Sequence, residues 1–212
     1  MIDWNYLVKI GVGLFAIVNA IGTIPIFISA TDGWSAAHRA KTARIIGITV
    51  FTVLALSLFI GDSMLDFFGI SIASFQVGGG ILLLLMAISM MHAKESEARQ
   101  TPEEAQVAIE HDAVAIVPLS IPLLAGPGAI SSMIIAAEHS GGVVGHISLL
   151  IPVAVVSVLS WRILLLSDFI AERLGTIGIN IVTRLMGLIL AAMSVEFMAR
   201  GLASLFPGLV NG

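Results

Sequence analysis

The sequence predicts an all-α, polytopic membrane protein with six transmembrane helices as two inverted three-helix repeats, helices 1 and 4 being broken. Three observations predict this. Of 212 residues, 58% are hydrophobic and only 11% charged, with a mean hydropathy of +1.04; a soluble domain carries about 25% charged residues. Six stretches are apolar on all sides for roughly the 20 residues that a crossing needs. The first stretch of each half carries glycine and proline near its centre. Barrel strands would instead alternate apolar and polar residues over about ten positions.

The spans run roughly over residues 6–30, 44–61, 67–91, 113–137, 145–167 and 177–197. They form one membrane domain, 1–212, made of repeat 1 (1–92), a cytoplasmic linker (93–112) and repeat 2 (113–212). The N-terminus lacks the basic start and cleavage site of a signal peptide, so the first helix is expected to be retained. With six spans, Arg39, Lys41, Arg44, Lys94, Arg99, Arg162, Arg173 and Arg184 fall on one side, and Lys9 and Arg200 on the other. This bias puts the charged loops in the cytoplasm and both termini outside, on the periplasmic face.

The first span holds Asn19, Gly22, Thr23 and Pro25. Asn19 and Thr23 are spaced i, i+4 and would share a helix face. Their oxygens, with carbonyls freed by the break, suit an ammonium group or a hard cation such as Na⁺. The linker carries a helix-start signal at Thr101-Pro102-Glu103-Glu104. The fourth span holds Pro118, Pro122, Gly126, Pro127 and Gly128. A helix restarting after Gly126-Pro127-Gly128 would present amides near Ala129, Ile130, Ser131 and Ser132, where a carboxylate can dock. Breakers paired in the two halves of a membrane chain point to a transporter's binding site.

The halves resemble each other. Ile70, Ile72, Gly80, Leu83 and Met86 align with Ile177, Ile179, Gly187, Leu190 and Met193. Gln76 then coincides with Thr183, and Ala-Ile-Val recurs at 16–18 and 115–117. Three spans are an odd number, so the second repeat must enter the membrane upside down. Arg184 has two placements. The repeat register puts it inside the membrane, where a guanidinium fork suits a carboxylate; a longer sixth span would make it an interfacial anchor. Glu196 and Arg200, at i and i+4, are expected to pair.

Other chemistry is poorly supplied. There is no cysteine, the five histidines lack metal-ligand spacing, and no basic patch for nucleic acid occurs. Gly78-Gly79-Gly80 lies in an apolar span without the Lys-Ser/Thr ending of a phosphate loop, so its expected task is close helix packing. No HExxH or GxSxG motif is present, so no enzyme and no cofactor are expected.

NAIGTIPIF at 19–27, GGGILLLLMAISM at 78–90, PLSIPLLAGPGAI at 118–130 and RLMGLILAAMSVEFM at 184–198 together resemble the MarC family of six-span bacterial inner-membrane proteins. The resemblance covers nearly the whole chain. It implies a transporter-like fold in the inner membrane, and some members are described as neutral amino acid transporters. One position departs: the family's first motif usually reads NPxG, and here Ala20 replaces the proline. The expected function is thus secondary transport of a small zwitterionic metabolite, neutral amino acids first, by alternating access. Asn19, Gly22, Thr23, Pro25, Pro122, Gly126, Pro127, Gly128, Ser131 and Arg184 would bind it, with Na⁺ or H⁺ as coupling ion. The alternative is a non-transporting membrane scaffold or assembly protein. The glycine runs permit a homo-oligomer.

Overall fold

The computed structural model describes residues 4–31, 33–92, 124–140 and 142–209. Among the described residues every regular element is helical. The first apolar stretch is two helices, α1 (Trp4–Val18) and α2 (Ile24–Ala30), joined by a turn. Then come α3 (Ala36–Phe67), α4 (Ile72–Met91), α5 (Pro127–Glu138), α6 (Val143–Leu165) and α7 (Ser167–Leu205), and a final 3-10 turn at Pro207–Leu209. Helices α3, α4, α6 and α7 are long and apolar enough to cross a membrane, and α1 is a shorter apolar helix. The linker, with its helix-start signal, lies outside the described residues.

Several boundaries differ from the expected ones, and each has a local cause. α3 is 32 residues long, well beyond 44–61. Lys41 and Arg44 end the apolar run but not the helix, which continues until its end groups are met. At its start Ser35 Oγ accepts from His38 N at 3.3 Å. At its end Gly69 takes φ +66, letting Ile70 N donate to Leu65 O at 2.9 Å and Gly69 N to Asp66 O at 3.0 Å. Phe67 therefore ends α3 rather than opening the third span, and α4 begins at Ile72 behind Ser71, whose Oγ accepts from Ser74 N at 3.2 Å. In α7, Gly175 has φ 62 and ψ 177, which splits off a leading segment from the long helix that runs on to Leu205.

The centre of the packing is the pair α4 and α7, the most extensive helix contact. A methyl on Gly80 would lie 2.9 Å from Ser194 O and 2.6 Å from Met198 Cγ. One on Gly187 would lie 3.0 Å from Met90 Cβ and 3.2 Å from Ala87 O, and one on Gly201 2.7 Å from Ala73 O. Positions rising along α4 meet positions falling along α7, so the pair is antiparallel. Glycine lets the two backbones approach, the main source of association between helices in lipid. Around this pair, α3 packs on α5 and α6, and α1 on α6 and α7. Leu14, Ile17, Ile46, Leu54, Leu58, Leu83 and Met133 are fully buried between them. The outer surface is apolar too, with Ile48, Phe59, Leu85, Val155, Ile181 and Leu188 exposed. Such a surface belongs against bilayer hydrocarbon.

Candidate functional site

The first break is built by its own side chains. α1 ends because Asn19 takes φ +46, the one non-glycine residue with positive φ among the described residues. Asparagine tolerates that conformation better than most residues. Asn19 Oδ1 accepts from Gly22 N at 3.2 Å, and Thr23 Oγ1 donates to Asn19 O at 3.2 Å. Ile24 N reaches Ile21 O at 3.1 Å, and α2 then starts with Pro25 in its first turn, where the missing N–H removes no helical bond. Residues 19–23 are therefore not helical, and Asn19 and Thr23 do not share a helix face. Both are buried, and each commits a side-chain atom to the turn's backbone. The break is complete although Ala20 stands where a proline was expected. Among the described residues the carbonyls of Ala16, Ile17 and Val18 receive no backbone amide.

Gly22 explains why this turn sits where it does. A methyl there would run into the Asn19 carboxamide and come within 2.9 Å of Thr183 Oγ1 on α7. The turn is thus pressed against the sixth apolar stretch.

The second break is simpler. α5 starts at Pro127 with Gly126 as its cap, in an extended conformation and without a side-chain hydrogen bond. Ile130 N donates to Gly126 O at 3.1 Å. The restart is therefore earlier than expected: the amides left without a helical partner are those of Gly128 and Ala129, not those running on to Ser132. Gly128 packs on α4, since a methyl there would lie 2.5 Å from Leu83 Cδ2 and 3.2 Å from Met86 Sδ. Ser131 faces Gly79 of α4, its Oγ 3.1 Å from where a methyl on Gly79 would stand. Ser131 and Ser132 are buried, and Ser132 Oγ has no partner among the described residues. Pro118 and Pro122 lie outside the described residues.

Arg184 is not brought to either break. It is exposed on α7, while its neighbour Thr183 turns toward Gly22. Successive helical residues point about 100° apart, so an inward Thr183 carries Arg184 away. Gly187 lies opposite Met90 and Met91 at the end of α4. One turn earlier on the antiparallel α7, Arg184 lies past that contact with its side chain exposed. Glu196 and Arg200 do pair, Nε to Oε1 at 2.8 Å, and are exposed.

Two polar groups escaped the sequence reading. Ser157 Oγ and Trp161 Nε1, one turn apart on α6, are buried without a partner among the described residues. Their stretch of α6 packs on Gly47 of α3, where a methyl would lie 2.8 Å from Trp161 Cβ. Nothing in a serine or tryptophan of an apolar span signals this. Among the described residues no group of His, Asp or Glu side chains is placed to hold a metal ion. Each break thus rests on one member of the central pair: the first on α7 at Thr183, the second on α4 at Gly79, Leu83 and Met86.

Comparison with known proteins fits this architecture. The model of the MarC family integral membrane proteins matches residues 4–206. The UPF0056 membrane protein YhcE of Escherichia coli is 39% identical over 209 residues, covering 99% of this chain and 97% of that protein. YvbG of Bacillus subtilis is 37% identical over 211 residues (98% and 99%), and MJ1677 of the archaeon Methanocaldococcus jannaschii 32% over 200 residues (94% and 97%). No solved structure matches the chain. The chain belongs to the MarC family and is a multi-pass integral membrane protein.

Proposed function

We propose that this MarC-family protein is a secondary transporter that moves a small zwitterionic metabolite, neutral amino acids first, across a bacterial inner membrane by alternating access. The observation that carries the reading is the pair of breaks, each lodged against one helix of the central antiparallel pair. Non-helical backbone at membrane depth is tolerated only where protein or a water-filled cavity meets its polar groups. Six spans in two inverted three-helix repeats account for the packing: an offset of 107 (187 − 80) exchanges Gly80 with Gly187, and each faces the other helix of the pair. Both termini then lie outside, on the periplasmic face, as the distribution of Lys and Arg requires.

Each break has a chemistry to offer. The amides of Gly128 and Ala129, at the positive end of α5, suit a carboxylate, with Ser131 and Ser132 beside them. The carbonyls of Ala16, Ile17 and Val18, with Asn19 and Thr23, suit an ammonium group or Na⁺. Arg184, exposed past the end of α4, has no part in this site. The sequence has no nucleotide-binding motif, so Na⁺ or H⁺ drives transport, and the chain acts without cofactor or enzymatic step.

The test is counterflow in proteoliposomes preloaded with mixed neutral amino acids, with and without Na⁺, for wild type and Thr23→Val. Tracer exchange that falls in the variant is expected, and its dependence on Na⁺ identifies the coupling ion. Absence of exchange of any small solute by well-folded protein would overturn the reading in favour of a membrane scaffold.

A further inference from the structure

Two contacts pin the short helices that lead away from the breaks. Arg39, in the first turn of α3, donates from Nη1 to Asp168 Oδ2 at 2.7 Å and from Nη2 to Asp168 Oδ1 at 2.9 Å. Its Nη2 is also 3.4 Å from Ser167 Oγ, and its guanidinium lies 5.7 Å from the centre of the Phe27 ring on α2. One cation therefore joins α2, α3 and the start of α7. His146, in the first turn of α6, has Nε2 3.1 Å from the carbonyl of Ala137, in the last turn of α5. Its ring stands edge-on to Phe59 of α3 at 6.1 Å. One imidazole therefore joins α5, α6 and the far part of α3. Residues 39 and 59 are 20 apart on one helix (59 − 39), about 30 Å along its axis, so the two contacts sit at opposite ends of the molecule.

The two contacts occupy matching positions. The alignment of Ile70 with Ile177 has an offset of 107 (177 − 70). The same offset takes Arg39 to His146 (39 + 107 = 146). It takes Phe59, the neighbour of His146, to position 166, next to Ser167 and Asp168, the neighbours of Arg39 (59 + 107 = 166). Each contact thus fastens a half-helix, α2 or α5, to the head of the following long helix and to a helix of the other half, α7 at its start or α3 in its far part.

We infer that Arg39 and His146 are a pair of latches, each closing one end of the transport path by pinning the half-helix that runs from a break to that surface. The inference rests on the transport reading. Alternating access needs one half-helix to loosen while the other holds, and the two latches differ in chemistry in a way that ranks them. The Arg39 fork makes two charge-assisted bonds to a carboxylate in the first turn of α7, where the helix terminus also favours an anion. The His146 latch is a single hydrogen bond from a ring nitrogen to a backbone carbonyl, and it requires the proton on Nε2. The end closed by Arg39 is the tighter one.

The chain has no cysteine, so single cysteines report cleanly. Ala20, in the first break, and Ala125, beside the second, are fully buried. Ala20→Cys and Ala125→Cys in the full-length protein would be labelled by a membrane-impermeant maleimide, in vesicles of both orientations. Arg39→Met should raise labelling at position 20 about fivefold, equivalent to ~1 kcal/mol, from the Arg39 face only. His146→Ala should raise labelling at position 125 from the opposite face only. Asp168→Asn alters only an exposed carboxylate, and should reproduce the Arg39 effect to a smaller extent. Unchanged labelling in both Arg39→Met and Asp168→Asn, or an equal rise from both faces, would overturn the latches. Counterflow in the same vesicles separates the two ideas. Exchange without one-sided exposure sinks the latches alone, whereas one-sided exposure without exchange of any solute sinks the transport reading and leaves the latches as gates of an aqueous cavity.

Discussion

The two breaks solve the same problem in opposite ways. The first closes on itself: Asn19 Oδ1 meets the Gly22 amide, Thr23 Oγ1 meets the Asn19 carbonyl, and Gly22 is wedged between the Asn19 carboxamide and Thr183. Among the described residues the second shows no such brace. Gly126 caps α5 with backbone alone, the Gly128 and Ala129 amides stay without helical partners, and the walls are the ends of Leu83 and Met86. The first break is a rigid turn with acceptor groups on its edge, and the second is an adaptable one with donors at its tip. On the proposed transport reading a zwitterion needs both kinds of end, and this difference assigns its ammonium group to the first break and its carboxylate to the second.

The largest expected effect tests the rigidity. Gly22→Val should destabilise the protein by about 3 kcal/mol, near the upper end for overpacking, and Gly128→Val by about 1 kcal/mol, because side-chain tips give way more easily than a braced turn. Unfolding of the purified protein in detergent measures both, and the reverse order would break the contrast. Next comes Asn19. Asn19→Ala forfeits the bond to Gly22 and forces alanine into a left-handed conformation, at about 2 kcal/mol in all. Asn19→Gly loses only the bond and should cost about half as much. Equal losses would show that φ at this position does not matter.

The third test sharpens the second break. Ser132 Oγ is buried and unpartnered, so Ser132→Ala should leave stability within about 0.5 kcal/mol of wild type or raise it. If that hydroxyl serves a bound carboxylate, exchange should nevertheless fall about tenfold, the value of one hydrogen bond to a charged group. Unchanged exchange removes Ser132 from the site. The smallest effect supplies a baseline outside both breaks: Glu196→Gln, in an exposed i, i+4 pair, should shift stability by no more than about 0.5 kcal/mol.

The sequence carries the helical class, the membrane setting and the first break plainly, because apolar length, glycine and proline act locally. Gly80 was also legible as a packing position, as part of the Gly78-Gly79-Gly80 run in an apolar span, and aligning the halves paired it with Gly187. Other features depend on rotation or capping. Whether Thr183 or Arg184 faces the break is a matter of 100° of helical phase, and only packing across more than a hundred residues of chain sets it. The reach of α3 past Lys41 and Arg44 depends on Ser35 and Gly69, caps that hydropathy does not register. The bonds that engage Asn19 and Thr23 follow from one residue's φ, which spacing alone does not reveal.

The α4–α7 contact has a consequence for the chain's ancestry. Gly80 of α4 meets Ser194 and Met198 of α7, which lie 107 beyond Ala87 and Met91, the residues of α4 that Gly187 meets (87 + 107 = 194, 91 + 107 = 198). Read from either helix, the contact has the same form. That is the mark of an isologous interface, the kind by which two identical subunits meet about a two-fold axis. If the halves are the inverted repeats proposed above, a three-helix chain inserted in both directions would possess this surface as a dimer. On that reading, joining the two copies makes their meeting independent of concentration and frees each half to diverge, leaving an arginine fork at one end and a single imidazole at the other.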